Sequence, residues 1–165
     1  MPVQTNSIFP AGNTGILGGI IQCVSVNDTT SRSFNINNQR HTTSLQASIS
    51  LNDSSNKVMI VYSVNASGNG GWGGMYFGLV RDSTTLITAN DSNAFGGLNC
   101  QATSNGQNQS LNFPIFFLDN PGDTSSHTYK VQIFGVNGCG TGFINRSNNQ
   151  SNAGRSTLFL YEVSD

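Results

Sequence analysis

The sequence predicts an all-β protein: an antiparallel β-sandwich, jelly-roll-like, built from eight to ten short strands. Three observations predict it. Charged residues make up only 9% of the 165 residues, against about 25% in an average soluble domain. Glu162 is the single Glu, and Lys57 and Lys130 are the only Lys, so the usual formers of exposed helix are almost missing. Roughly a third of the chain is Asn, Ser or Thr and Gly is abundant, a composition suited to turns and strand surfaces. Apolar and polar residues alternate in short runs between turn clusters, and no helical period outlasts a turn or two.

The elements follow in order. Met1–Gly15 is polar and carries Pro2, Pro10, Gly12 and Gly15. It is expected to be an extended N-terminal arm (1–15), with the sandwich over 16–165. The arm is either disordered or an anchor to a neighbouring subunit or particle. Gly19–Val26 is apolar and then alternating, and Ser33–Asn37 is short. Ser44–Leu51 alternates with Leu45, Ala47, Ile49 and Leu51 on one face. Asn52–Asn56 is a turn, and Lys57–Ala66 is a strong central strand. Ser67–Gly74 reads as a glycine-rich loop. Met75–Arg81 and Thr84–Thr88 flank Asp82-Ser83, a tight hairpin. Asn90–Gln109 is polar and has no assigned element. Ser110–Leu118, Thr128–Val136, Thr141–Asn145 and Thr157–Val163 complete the strands. Pro114 cannot donate a ladder hydrogen bond, which places its strand at an edge or a bulge.

Composition narrows the function classes. The formal net charge is −1 and the seven Lys and Arg are scattered singly, so no nucleic-acid partner is expected. Met1–Ile8 lacks the charged start and apolar run of a secretion signal. No apolar stretch approaches the ~20 residues of a membrane span, so no membrane insertion is expected. Weak net charge lets copies associate, and a homo-oligomer would bury apolar surface that so few charges cannot shield. Cys23, Cys100 and Cys139 are odd in number and far apart. They read as free thiols in a reducing compartment, with a Cys100–Cys139 pair as the alternative.

Candidate sites are few. Trp72, the only tryptophan, lies between glycine pairs. It either stacks on a sugar ring or caps the end of the sandwich, and tryptophan is more often buried. With Asn69, Tyr76 and Asn93 it forms the candidate ligand-binding set. The Gly-rich stretch lacks the ending of a phosphate-binding loop. Asp119, Asn120 and Asp123 in DNPGD lack the spacing of a calcium loop and read as a turn set by Asn120-Pro121-Gly122. His41 is placed in a loop and His127 at a strand start, neither with identifiable catalytic partners. Asp82, Asp91, Asp119, Asp123 and Glu162 mostly fall in turns and make no evident glycosidase pair. Asn-x-Ser/Thr triplets such as Asn27-Asp28-Thr29 and Asn145-Arg146-Ser147 are expected by chance in such a composition. No catalytic residue, metal or cofactor is expected.

Several segments, taken in order, resemble tail-fibre-like virion domains of bacteriophages, especially phages of cyanobacteria and marine bacteria. They are Gly18–Gln22, Ser50–Asn65 (SLNDSSNKVMIVYSVN), Leu79–Ile87 (LVRDSTTLI), Phe117–Ile133 (FLDNPGDTSSHTYKVQI), Ile144–Ser147 and the closing STLFLYEVS. The resemblance covers nearly everything after residue 15. It implies a non-enzymatic structural protein of the virion surface, assembled in the host cytoplasm as a homotrimer. It also implies partners: other virion proteins through the N-terminal arm, and a host-surface glycan or protein. Family members usually sit at the end of a longer fibre, whereas Met1 here is one short arm away, which favours a separately encoded knob, tip or capsid decoration. A capsid decoration protein is the alternative function. A polysaccharide depolymerase follows, and a cellular lectin or C1q-like adhesive domain is more distant. The resemblance marks no receptor residue.

Overall fold

The computed structural model describes residues 19–70, 74–89, 95–99, 110–136, 138–146 and 154–164. Eleven strands lie among them: β1 (Ile20–Asp28), β2 (Arg32–Asn35), β3 (Arg40–Ser50), β4 (Lys57–Gly70), β5 (Gly74–Arg81) and β6 (Thr84–Ile87), then β7 (Phe95–Asn99), β8 (Leu111–Asp119), β9 (Ser126–Gly135), β10 (Cys139–Ile144) and β11 (Ser156–Val163). No helix of the described residues is long and apolar enough to cross a membrane. The alternation that predicts β3 is realised, since Leu45, Ala47, Ile49 and Leu51 are all buried while Ser44, Gln46, Ser48 and Ser50 face outward. Asp82 and Ser83 form a two-residue turn between β5 and β6, with Asp82 at φ 53°, the left-handed geometry that such hairpins require.

The chain behaves as a long antiparallel ribbon folded back on itself and rolled. β1 pairs with β11, β3 with β9, β4 with β8, and β5 with β6. Rolling places β8, β4, β11 and β1 side by side in one sheet, and β3, β9, β5 and β6 in the other. This is a jelly roll. The first sheet is extended by β10 beside the far half of β4, and by β2 beyond it. The second is extended by β7 on β5. β8 pairs only with β4 among the described residues, so Pro114 does sit on an edge strand.

The inner faces make one core. Val58, Ile60, Tyr62 and Val64 of β4 meet Phe77, Leu79, Val131 and Ile133 of the opposite sheet, all buried. Each such side chain contributes about 1.5–3 kcal/mol relative to exposure. Two tyrosines carry hydroxyls into this core and both are satisfied. Tyr62 donates to the Tyr129 carbonyl at 3.0 Å, and Tyr129 donates to Asp119 Oδ2 at 2.7 Å. Burial pushes both hydroxyls above the ordinary tyrosine range, and for Tyr129 the Asp119 carboxylate adds to it. Arg81 closes the group with a 2.7 Å ion pair to the same Asp119 oxygen.

Glu162 is fully buried and binds three segments together. Its Oε1 accepts from Asn52 N–H (2.7 Å) and Asn56 Nδ2 (2.6 Å), and its Oε2 accepts from Gln22 Nε2 (2.6 Å). Burial alone would raise its pKa. The donors from Asn56, Gln22 and the Asn52 and Asp53 backbone outweigh burial and hold it below the usual carboxylate range.

Some expectations are corrected. Ser67–Gly74 is not a loop as a whole, because β4 runs through Gly70 and β5 begins at Gly74. The glycine that packing requires is the one opposite, on β10. Gly68 pairs with Gly142 of β10, and a Cβ on Gly142 would stand 2.8 Å from Ile36 Cδ1 and 2.9 Å from Met75 Sδ. Arg40 and His41 belong to β3, where His41 Nε2 bonds the Asn35 carbonyl at 2.6 Å. Within Asn90–Gln109, residues 95–99 form β7 against β5. Reading all three cysteines as free thiols is also corrected. Cys139 is disulfide-bonded and Cys23 is free, while Cys100 lies outside the described residues. The N-terminal arm, 1–15, lies outside them as well.

Candidate functional site

Tyr76 stands on the outer face of the five-stranded sheet. Its neighbours Met75 and Phe77 turn into the core, so alternation turns Tyr76 outward. Across the sheet it pairs with Phe134 of β9, and Phe134 pairs with Arg40 of β3. The Arg40 guanidinium carbon lies 6.0 Å from the Phe134 ring centroid, at the outer reach of a cation–π contact. A Cβ on Gly74 would meet the Tyr76 ring at 3.1 Å, so the ring lies over that glycine. The result is a row, Arg40–Phe134–Tyr76, crossing three strands near one end of the sandwich.

The adjoining row is polar. Thr42, Gln132 and Gly78 occupy it in register. Gln132 is 7% exposed, its Nε2 reaches Thr42 Oγ1 at 3.3 Å, and its Oε1 is buried without a partner. The chain after β6 crosses the sheet here. A Cβ on Gly78 would collide with the Ile87 carbonyl oxygen at 2.4 Å and Ala89 N at 2.7 Å. That crossing raises a wall beside Tyr76. The arrangement is an aromatic shelf with a cation at one side and amide and hydroxyl groups behind it. Such a surface suits the apolar C–H face and the hydroxyls of a sugar.

Of the predicted site residues, Tyr76 lies on this shelf. Asn69 lies on β4 in the other sheet, where its Oδ1 accepts the Thr141 N–H at 3.2 Å. Tyr76 and Asn69 therefore flank the 71–73 connection from opposite sheets. Trp72 and Asn93 lie outside the described residues. Sequence reasoning missed Arg40, Phe134 and Gln132. The available signal was Phe134 itself, an aromatic in the outward phase of β9, which otherwise reads Thr128, Lys130, Gln132.

The acids are engaged elsewhere. Asp28 pairs with Arg32 at 2.7 Å, and Asp53 accepts from Ser55 N–H at 2.9 Å. Asp119 binds Arg81 and Tyr129, and Glu162 binds the three segments described above. His127 is buried between Asp82 (Nδ1, 2.8 Å) and Asp123 (Nε2, 3.1 Å). This cluster clamps the β5–β6 hairpin to the start of β9, because Asp82 also accepts the Thr128 N–H at 2.8 Å. Within DNPGD, Asp119 and Asp123 thus serve different partners, and Gly122 takes φ 78°, as the Pro-Gly turn requires.

No family model matches the chain, and no curated protein matches it significantly. Solved structures resemble it at low identity. One is the VP2 subviral particle of infectious bursal disease virus, at 14% identity and TM-score 0.45, covering 87% of this chain and 37% of that one. Another is the Gt strain of the same virus, at 15% identity and TM-score 0.47, covering 88% and 39%. A third is a T=1 particle derived from that virus, at 13% identity and TM-score 0.46, covering 99% and 41%. This chain thus spans well under half the length of the chains it resembles.

Proposed function

We propose that this chain is a non-enzymatic structural module of a virion surface, a phage fibre or tip that attaches to host-surface glycan through the Tyr76–Phe134–Arg40 shelf. The observation that carries the reading is the shelf itself: two aromatic side chains and a guanidinium in one cross-strand row, backed by Gln132 and Thr42. The ordered resemblance of the chain to phage tail-fibre-like domains supports the setting. The jelly roll serves capsid and lectin domains alike, which is an analogy of fold. Position supports it too. Gly19 and Ser164 meet at one end of the sandwich, where the Ser164 N–H bonds the Gly19 carbonyl at 3.2 Å. The β4–β5 connection beside Tyr76 lies at the other end, so a module held by its termini presents the shelf away from its mount. The described carboxylates are committed to structural hydrogen bonds, which fits binding better than glycoside cleavage. Trimeric display of such a weak site multiplies its strength through effective concentration.

The test uses the purified protein and immobilised polysaccharide from the host envelope. Tyr76→Ala is expected to weaken binding by about tenfold or more while the fold is kept, as for loss of an aromatic anchor. Equal binding by Tyr76→Ala removes the shelf from the site, and Trp72→Ala then examines the adjoining connection. Release of reducing sugar identifies a depolymerase instead. Immunogold label on the head rather than the tail makes the protein a capsid decoration, anchored through residues 1–15.

A further inference from the structure

The two outer faces of the sandwich differ in chemistry. That of the six-stranded sheet is apolar along β8, where Phe116 and Leu118 are exposed. That of the five-stranded sheet carries charge of one sign. Its strands β3, β5, β6, β7 and β9 contain no Asp or Glu, yet they contain Arg40, Arg81 and Lys130. Arg81 is engaged by Asp119 at the end of the sandwich. Arg40 and Lys130 stand in the outward phase of β3 and β9, together with Thr42, Gln132 and Phe134. Arg40 shares its row with Phe134 and Tyr76. Lys130 lies four residues along β9 from Phe134, a distance of about 14 Å at ~3.4 Å per residue. The row of Thr42, Gln132 and Gly78 runs between the two cations.

Charge is also segregated along the length of the sandwich. At the end where Gly19 and Ser164 meet stand five acids, Asp53, Asp82, Asp119, Asp123 and Glu162, with the cations Lys57 and Arg81. At the shelf end stand four arginines, Arg32, Arg40, Arg146 and Arg155, with the single acid Asp28, which Arg32 holds at 2.7 Å. Of the chain's acids only Asp91 and Asp165 lie outside the described residues, and counting Asp91 at the shelf end still leaves that end positive. A net charge of −1 therefore covers a dipole whose positive end is the shelf. Such a field draws anions toward that end and turns the module to meet them.

We infer that the glycan taken by this shelf is acidic, a polysaccharide bearing carboxylate or sulfate groups, with Arg40 binding the acid group while the sugar ring lies on Tyr76 and Phe134. The inference rests on the shelf being a glycan site and names the class of glycan. Arg40 suits the role by geometry. Its guanidinium is a planar fork that meets a carboxylate or sulfate through two parallel N–H bonds, and it keeps its charge whatever else it touches. At the end of the aromatic row it addresses a group projecting from the ring's rim, leaving the apolar C–H face to the aromatics. Lys130 offers a second cation to a saccharide laid along β9. The strands beneath carry no acid that would repel such a chain. A neutral glycan gains nothing from either cation, so charge is what discriminates.

The test measures binding of the full chain to host-envelope polysaccharide, separated by anion exchange into an acidic and a neutral fraction, with double-stranded DNA as a second polyanion. Wild type is expected to bind the acidic fraction at least about tenfold more tightly than the neutral fraction or the DNA, and to lose about tenfold in affinity between about 20 and about 500 mM salt. Arg40→Gln is expected to weaken binding of the acidic fraction by about tenfold, the loss of a charge-assisted contact, and to leave the neutral fraction unaffected. Arg40→Lys restores the charge without the fork and is expected to recover part of that loss. Arg155→Gln, on the other sheet, is expected to bind like wild type. Thermal unfolding verifies that each variant is folded. Carboxyl reduction or desulfation of the acidic fraction is expected to abolish the preference and identifies the acid group. A neutral fraction or DNA bound as tightly as the acidic fraction, binding indifferent to salt, an Arg40→Gln chain that binds like wild type, an equal loss in Arg155→Gln, or a preference that survives both chemical treatments overturns the inference while leaving the shelf in place. No glycan binding at all, or equal binding by Tyr76→Ala, overturns the shelf reading and this inference with it.

Discussion

Replacing Glu162 by Gln keeps size and shape and removes only the charge, so it isolates what the one buried glutamate contributes. In the native site Asn52, Asn56 and Gln22 donate to the two carboxylate oxygens at 2.6–2.7 Å, beside the Asp53 backbone donor. A glutamine can keep its single oxygen toward Asn52 and Asn56. Its NH₂ then faces the Gln22 NH₂, donor against donor. Gln22 cannot flip without cost, because the same nitrogen also donates to the Ser50 carbonyl at 2.6 Å. One charge-assisted bond is lost, worth about 1.5–3 kcal/mol, and the other two lose their charge assistance. The expected total is about 3 kcal/mol, with a fall in Tm of about 6–12 °C for a domain of this size. Urea unfolding should show a lower midpoint at unchanged slope. The pH dependence has a definite sign. Because the folded pKa of Glu162 is depressed, its stabilisation is complete above the unfolded value near 4.3 and is lost as pH falls through the folded value. The gap between wild type and Glu162→Gln should therefore narrow in acid. A gap under about 0.5 kcal/mol at pH 7, within the ordinary range for surface changes, refutes the reasoning, as does a gap that does not change with pH.

Two further outcomes follow from the packing. Gly78→Ala forces a methyl group into the Ile87–Ala89 backbone, and a loss of about 3 kcal/mol is expected, the upper end for overpacking, read by thermal unfolding. Asp82→Asn preserves a side chain that tolerates the positive φ of this turn and removes the charge facing His127. Burial would raise the Asp82 pKa, but the Thr128 N–H and His127 lower it overall, so its contribution is lost as pH falls through that depressed value. The side chain is 45% exposed, so about 1 kcal/mol at pH 7 is expected after solvent screening, with a flatter acid limb in urea titrations.

The strands were legible because their signals are local. Leu45 to Leu51 alternate in sequence as they do in space, and Asp82-Ser83 marks its hairpin within four residues. Gly68 and Gly70 misled because glycine signals a loop in sequence, yet here both lie within β4, where Gly68 pairs with Gly142 of β10. Ser110–Leu118 announced an edge through Pro114 but not an exposed apolar face, since an apolar run looks the same whether it faces a core or a solvent-facing patch. Tyr76 was legible as an aromatic beside glycines. Its neighbours on the shelf were not, because Phe134 and Arg40 come from strands far apart in sequence, and only register unites them. Glu162 stood out as the sole Glu without revealing that it is buried.

The pairing of β1 with β11 also governs how the chain must be made. β11 lies between β1 and β4, in the middle of its sheet, yet it is the last of the described strands in sequence. β1 therefore waits for its β11 partner until residues 156–163 leave the ribosome, a delay on the order of 10 s at ~5–20 residues per second. Contacts this distant in sequence, such as Gln22 to Glu162 across 140 residues, place folding among the slow, millisecond-to-second topologies. A nascent chain cut short by only ten residues lacks a central strand rather than an edge, and both of its would-be neighbours are left open to any other exposed strand.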